Sequence, residues 1–149
     1  MRSDLGLRPA EILLVEDNPA DVRLMQEGVK EAKVPTRLHA VMDGRTALDF
    51  LYRRGTYHAA PRPDLILLDL NLPGIDGHVV LKHVKSDPAL HTIPIVILTS
   101  SEAESDVVRS YEEHANCFIP KPIDFDGLLQ VMHSVQDFWF TVVKLPGAA

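Results

Sequence analysis

Asp64-Leu65-Ile66-Leu67-Leu68-Asp69-Leu70-Asn71-Leu72-Pro73-Gly74 (DLILLDLNLPG) runs four large apolar residues straight into an aspartate, then turns at Pro73-Gly74. Continuous rather than alternating hydrophobicity marks a strand covered on both faces, as in a parallel sheet. Glu11 to Val15 (EILLV) and Ile93 to Leu98 (IPIVIL) read the same way. Arg37 to Val41 (RLHAV) and Cys117 to Ile119 (CFI) are weaker strand candidates nearer the sheet edges. The segments between them have helical spacing. Ala20 to Ala32 places Val22, Met25, Val29 and Ala32 on one face, with Asn18-Pro19 as cap and first-turn proline. Asp43 to Arg53 carries Ala47, Leu48 and Leu51 behind an Asp43 cap, and Gly77 to Ser86 carries Val80, Leu81 and Val84. Ser101 to Glu113 is more polar, anchored by Val107, Val108 and Tyr111. Asp124 to Phe140 holds Leu128, Leu129, Met132, Val135 and Trp139. Strand and helix alternate five times, which predicts a doubly wound α/β domain with helices on both faces of a parallel sheet. Arg54 to Pro63 (RGTYHAAPRP) is the one long irregular stretch, expected as a surface loop.

The bulk numbers agree with a single domain: 149 residues, 46% hydrophobic and 24% charged, support one core and little more. A formal charge of −6 disfavours non-specific binding to nucleic acid or anionic membrane. The lone Cys117 cannot form an internal disulfide and reads as buried filler compatible with a reducing cytoplasm. No apolar run approaches the roughly 18 residues of a membrane span, and the N-terminus lacks an apolar leader. A soluble, cytoplasmic protein is expected.

In such a fold the site sits at the carboxyl ends of the strands, where strand order reverses. Glu16 and Asp17 follow the first strand and Asp69 follows the third. Neighbouring strands would bring the three acids together, and clustered carboxylates either bind protons or recruit a cation. Magnesium suits them best, because it takes one or two carboxylates plus phosphate oxygens, and no nitrogen or sulfur ligand stands here for zinc. Thr99 ends the fourth strand and Lys121 follows the fifth, a hydroxyl and an ammonium suited to phosphoryl oxygens. Asp69, on the central strand, is the candidate nucleophile for an acyl phosphate.

These residues closely resemble the receiver domain of two-component response regulators, over about residues 10 to 140. The resemblance rests on LLVEDNP, LILLDLNLPGIDG, IVILTSS and CFIPKP, with Thr99 30 and Lys121 52 residues beyond Asp69. It implies a flavodoxin-like five-stranded sheet in the order 2-1-3-4-5, with an N-terminal tail (1 to 9) and a C-terminal extension (141 to 149). It implies that Asp69 accepts a phosphoryl group from a histidine kinase. Asp17, Asp69 and the Asn71 carbonyl would ligate Mg2+, with Glu16 acting mainly through water. Lys121 would pair with the phosphoryl group, Thr99 would move toward it, and Phe118 would follow as the switch aromatic. Asn71 and Ser101 would tune the phosphoryl lifetime, and Lys121-Pro122 would be a cis peptide. Two departures stand out: the acidic pair is Glu16-Asp17 rather than Asp-Asp, and the switch aromatic is Phe118 rather than Tyr.

About ten residues follow the last predicted helix, so no DNA-binding output module is expected. The loop at Arg54 to Pro63, the SDPALHTIP segment and the ending DFWFTVVKLP resemble stand-alone regulators that partner bacterial phytochromes. The apolar end, with Phe138, Trp139, Phe140 and Val142, either folds back over its own core or joins the fourth helix, fifth strand and fifth helix in a homodimer contact. The resemblance favours the homodimer. The seven histidines, at 39, 58, 78, 83, 91, 114 and 133, read as surface or half-buried side chains rather than ligands.

Two other functions compete with the phosphoacceptor reading. A small Mg2+-dependent phosphatase would use Asp69 as a transient nucleophile, but it usually needs a carboxylate two residues on, where this chain has Asn71. An unphosphorylated interaction module would have no use for the Asp69, Thr99 and Lys121 constellation.

Overall fold

The structure, a computed structural model, describes residues 9–30, 35–70, 72–99 and 117–120, with 98–99 and 117–120 described by their backbone alone. Its elements in chain order are β1 (Ala10–Val15), α1 (Pro19–Lys30), β2 (Thr36–Val41), α2 (Gly44–Leu51), β3 (Leu65–Leu68), α3 (Gly77–Ser86), β4 (Ile95–Thr99) and β5 (Cys117–Pro120). The strands form one parallel sheet in the order β2-β1-β3-β4-β5. The doubly wound α/β fold expected from DLILLDLNLPG and its counterparts is the fold observed. The two expected helices C-terminal to β4, over 101 to 113 and 124 to 140, lie outside the described residues.

The period-two geometry of a strand explains how the sheet acquires two cores. In β1, Leu13 and Val15 join Ile66, Leu68, Ile95 and Ile97 under α2 and α3. The intervening Ile12 and Leu14 join Leu65, Leu67 and Val96 under Met25 of α1. All four residues of β3 have 0% exposure, which is why that segment reads as unbroken hydrophobicity. Burial of each such side chain contributes about 1.5–3 kcal/mol.

The helices begin where local hydrogen-bond chemistry lets them. Asn18 Oδ1 accepts the Ala20 N–H at 2.9 Å, as expected of that cap. Asp43 Oδ1 accepts the Thr46 N–H at 2.7 Å. Asp76 Oδ1, a cap that the apolar spacing gave no reason to single out, accepts the His78 N–H at 2.7 Å. α2 ends two residues earlier than its apolar spacing suggests, because Arg53 turns left-handed (φ 55°) and Gly55 follows (φ 57°). The long loop then makes one 3-10 turn at Gly55–Tyr57. β4 starts two residues later than expected: the Ile93 N–H is taken by the Leu90 carbonyl, and Pro94 has no N–H to give.

The histidines among the described residues, which leave out His114 and His133, divide more sharply than expected. His58, His83 and His91 are exposed and His39 is half-buried, but His78 in the first turn of α3 is buried at 3% exposure. No helix among the described residues is long and apolar enough to cross a membrane.

Candidate functional site

The strand register puts the acids together. Val15 of β1 lies opposite Leu68 of β3. One residue further, the Asp69 N–H donates to the Val15 carbonyl at 3.0 Å, and the Glu16 N–H donates to the Val41 carbonyl at 2.9 Å. The ladder therefore holds Glu16 and Asp69 rigidly one step past the buried strands. Glu16, Asp17 and Asp69 each present a carboxylate oxygen within 4.8 Å of the others. Glu16 (3% exposed) and Asp69 (5% exposed) are buried, whereas Asp17 is half-buried. Glu16 Oε2 also accepts the Asn18 N–H at 3.2 Å, tying the acidic turn to the cap of α1.

Chemically this is a set of three hard oxygen donors open on one side, which fits a hydrated divalent cation such as Mg2+. Glu16, Asp17 and Asp69 would hold it, and it would supply charge neutralisation for an incoming phosphoryl group.

The other expected site residues are placed less fully. Thr99 is the last residue of β4 and pairs in register with Pro120 of β5, so its backbone lies at the same carboxyl edge as Asp69. Phe118 pairs in register with Ile97, and Lys121 immediately follows the last described residue of β5. Asn71, Ser101, Lys121, Pro122, Phe138, Trp139, Phe140 and Val142 lie outside the described residues.

Two glycines that the sequence reading passed over shape this edge. A Cβ on Gly77 would meet the Asp69 carbonyl oxygen at 2.5 Å and the Leu70 Cα at 2.6 Å. A Cβ on Gly44 would meet the Ile75 carbonyl oxygen at 2.6 Å. Each follows a capping aspartate, so the repeated Asp-Gly pairs at 43–44 and 76–77 were the available signal. Together they pack the starts of α2 and α3 against the loop that leaves Asp69. An open groove of about 620 Å3 flanks this loop, lined by Asp43, Thr46, Asp49 and Pro73 to Ile75.

A carboxylate cluster where the order of a doubly wound sheet reverses defines a class of protein, and the sequence agrees: residues 12–133 match the response regulator receiver domain, and the chain belongs to that family. It is similar to Response regulator Rcp1 of Synechocystis sp., with 45% identity over 146 residues covering 98% of this chain and 99% of that one. Among solved structures it resembles the phosphorylated cyanobacterial phytochrome response regulator RcpA, with a TM-score of 0.88, 45% identity, and 93% of this chain and 99% of that one covered. It also resembles the Mn2+-bound form of Rcp1, with a TM-score of 0.86, 46% identity and the same coverage.

Proposed function

We propose that this chain is a single-domain response regulator, with its receiver over residues 10 to 140, in which Asp69 accepts a phosphoryl group from a histidine kinase. The observation that carries the reading is the meeting of the Glu16, Asp17 and Asp69 carboxylates within 4.8 Å at the end of a fully buried central strand. An Asp69 oxygen attacks the phosphorus of a phosphohistidine, the N–P bond breaks, and the electron pair leaves with the imidazole, which takes up a proton. Bound Mg2+ would offset the charge that builds between the phosphoryl oxygens and the acids. In this reading the Asn71 carbonyl completes the metal set, and Lys121 and Thr99 hold phosphoryl oxygens. Phe118 follows Thr99 in the switch, and Asn71 and Ser101 govern water access to the acyl phosphate.

The likeness to Rcp1 and RcpA supports a bacterial phytochrome as the kinase and a cytoplasmic setting. It also supports Mg2+ as the physiological ion, given a Mn2+-bound form of Rcp1. Phosphorylation would act on partner binding, with a homodimer formed through the C-terminal face and the segment around Phe138, Trp139, Phe140 and Val142. The acyl phosphate is a signalling state rather than a step in turnover.

The decisive experiment is labelling by a panel of purified histidine kinases, phytochromes included, with and without Mg2+. Wild-type chain should acquire acid-labile, hydroxylamine-sensitive phosphate only with the metal, and Asp69→Asn should acquire none. Undiminished labelling of that variant would sink the assignment.

A further inference from the structure

Only Asp17 and Asn18 separate Glu16 from Pro19, the first residue of α1, and they join the carboxylate edge to that helix. Glu16 is buried and fixed to the sheet through its N–H, which the Val41 carbonyl accepts at 2.9 Å. Its Oε2 reaches past Asp17 to accept the Asn18 N–H at 3.2 Å. Asn18 Oδ1 in turn accepts the Ala20 N–H at 2.9 Å and the Asp21 N–H at 3.3 Å. The Asn18 carbonyl accepts the Val22 N–H at 3.0 Å. Asp17 therefore sits between a neighbour held by the sheet and a neighbour held by the helix.

The Asn18 side chain does not serve as a metal ligand through Oδ1, because the two N–H groups occupy both lone pairs of that amide oxygen. Asn18 is exposed, whereas Asp17 is half-buried and presents an oxygen within 4.8 Å of those of Glu16 and Asp69. The place of the Asp17 carboxylate thus depends on a turn that the Asn18 cap closes from outside. Helix ends open most cheaply in a fold, with free energies near zero. Opening here frees Asn18, and with it the backbone that carries Asp17.

We propose that Asn18 is a positioning residue for the metal site, and that the first turn of α1 and the three carboxylates open and close as one unit. An ion bound by the closed set stabilises the closed turn by mass action. By reciprocity, whatever closes the turn raises affinity for the ion. The start of α1 is then firmer on a loaded chain than on an empty one. The inference rests on the reading of Glu16, Asp17 and Asp69 as metal ligands, and it adds a residue that acts through them.

Hydrogen exchange of the full chain, followed amide by amide by NMR over a Mg2+ series with an EDTA control, tests the coupling. At a Mg2+ concentration about one hundred times its Kd, exchange of the Ala20 and Asp21 amides should slow by roughly tenfold or more. The Thr46 amide, held in the same way by Asp43 Oδ1 at the start of α2, should change by less than about twofold. Amide shifts in the same titration give the Kd. Asn18→Ala removes the cap and should weaken Mg2+ binding by roughly twofold to fivefold. Asn18→Ser, a cap of equal strength, should restore wild-type affinity. The exchange measurement uses wild-type chain alone, so it decides the matter even where a variant folds poorly. Equal slowing at Ala20 and Thr46 would overturn the proposal. So would wild-type affinity in Asn18→Ala, or a failure of Asn18→Ser to restore it. Wild-type shifts and exchange that ignore Mg2+ would overturn the metal reading itself, so the two failures are distinguishable.

Discussion

Gly77 supports Asp69 from directly beneath: a methyl group on Gly77 would fall 2.5 Å from the Asp69 carbonyl oxygen, in the backbone that leaves β3. Neither side can yield cheaply, since one is the first residue of α3 and the other is held by the Val15 carbonyl.

Gly77→Ala should therefore destabilise the fold by about 1–3 kcal/mol through overpacking, although alanine is the better helix former by up to about 1 kcal/mol. Urea unfolding measures the loss. Labelling of Asp69 should slow in the same variant, because the strain is relieved by moving the nucleophile. A stabilised variant with wild-type labelling would show that the contact is slack.

The acidic cluster predicts opposite effects with and without metal. Three carboxylates within 4.8 Å repel one another, so Asp17→Asn should stabilise the metal-free chain by on the order of 1 kcal/mol, read as a higher Tm. Wild-type chain should gain about 2.7 kcal/mol at a Mg2+ concentration one hundred times its Kd. The variant should lose most of that gain. Thermal melts over a Mg2+ series, with an EDTA control, read both effects.

The cap of α2 has a defined pH window. The Thr46 backbone N–H holds the Asp43 carboxyl below its ordinary 3.8. A lowered pKa in the folded state means that the stabilisation is present above the ordinary value and is lost as pH falls through the folded one. Asp43→Ala should cost about 1 kcal/mol at neutral pH, and its Tm should converge with that of wild type in acid. A difference that persists at low pH would assign the loss to packing instead.

Tyr52 and Asp87 bracket a second window. Burial, then the Asp87 carboxylate, pushes the Tyr52 phenol up to about 12. The Tyr52 hydroxyl, then the Ala89 N–H, holds the Asp87 carboxyl below 3.8. The raised phenol stabilises the fold below pH 10 and stops doing so as pH passes 12. The lowered carboxyl stabilises it above 3.8 and stops doing so in acid. Tyr52→Phe should lower the Tm across the middle of the range and converge with wild type at both extremes. Ultraviolet titration of the variant should lack the tyrosinate step near pH 12.

The fold was legible because burial leaves a mark on composition. Leu65 to Leu68 must be apolar when both faces of β3 are covered, and Val80, Leu81 and Val84 must recur at helical spacing when α3 has one face on the sheet. The caps at Asn18 and Asp43 were legible for the same reason, since unsatisfied N–H groups at a helix start call for a short oxygen acceptor. Glu16, Asp17 and Asp69 could be named from their places at strand ends, but their meeting depends on β1 pairing with β3 in register. That pairing joins residues more than fifty positions apart, and local propensity carries no information about it. Gly77 under Asp69 lay further from view. Nothing in the residue types requires that contact; it arises from where the tertiary packing sets the start of α3. The sequence by itself determined the layers of this protein and the chemistry available at its strand ends. Only the tertiary structure decided which carboxylates share a site and which glycine lies against the nucleophile's backbone, because proximity between distant residues is a property of the packed sheet.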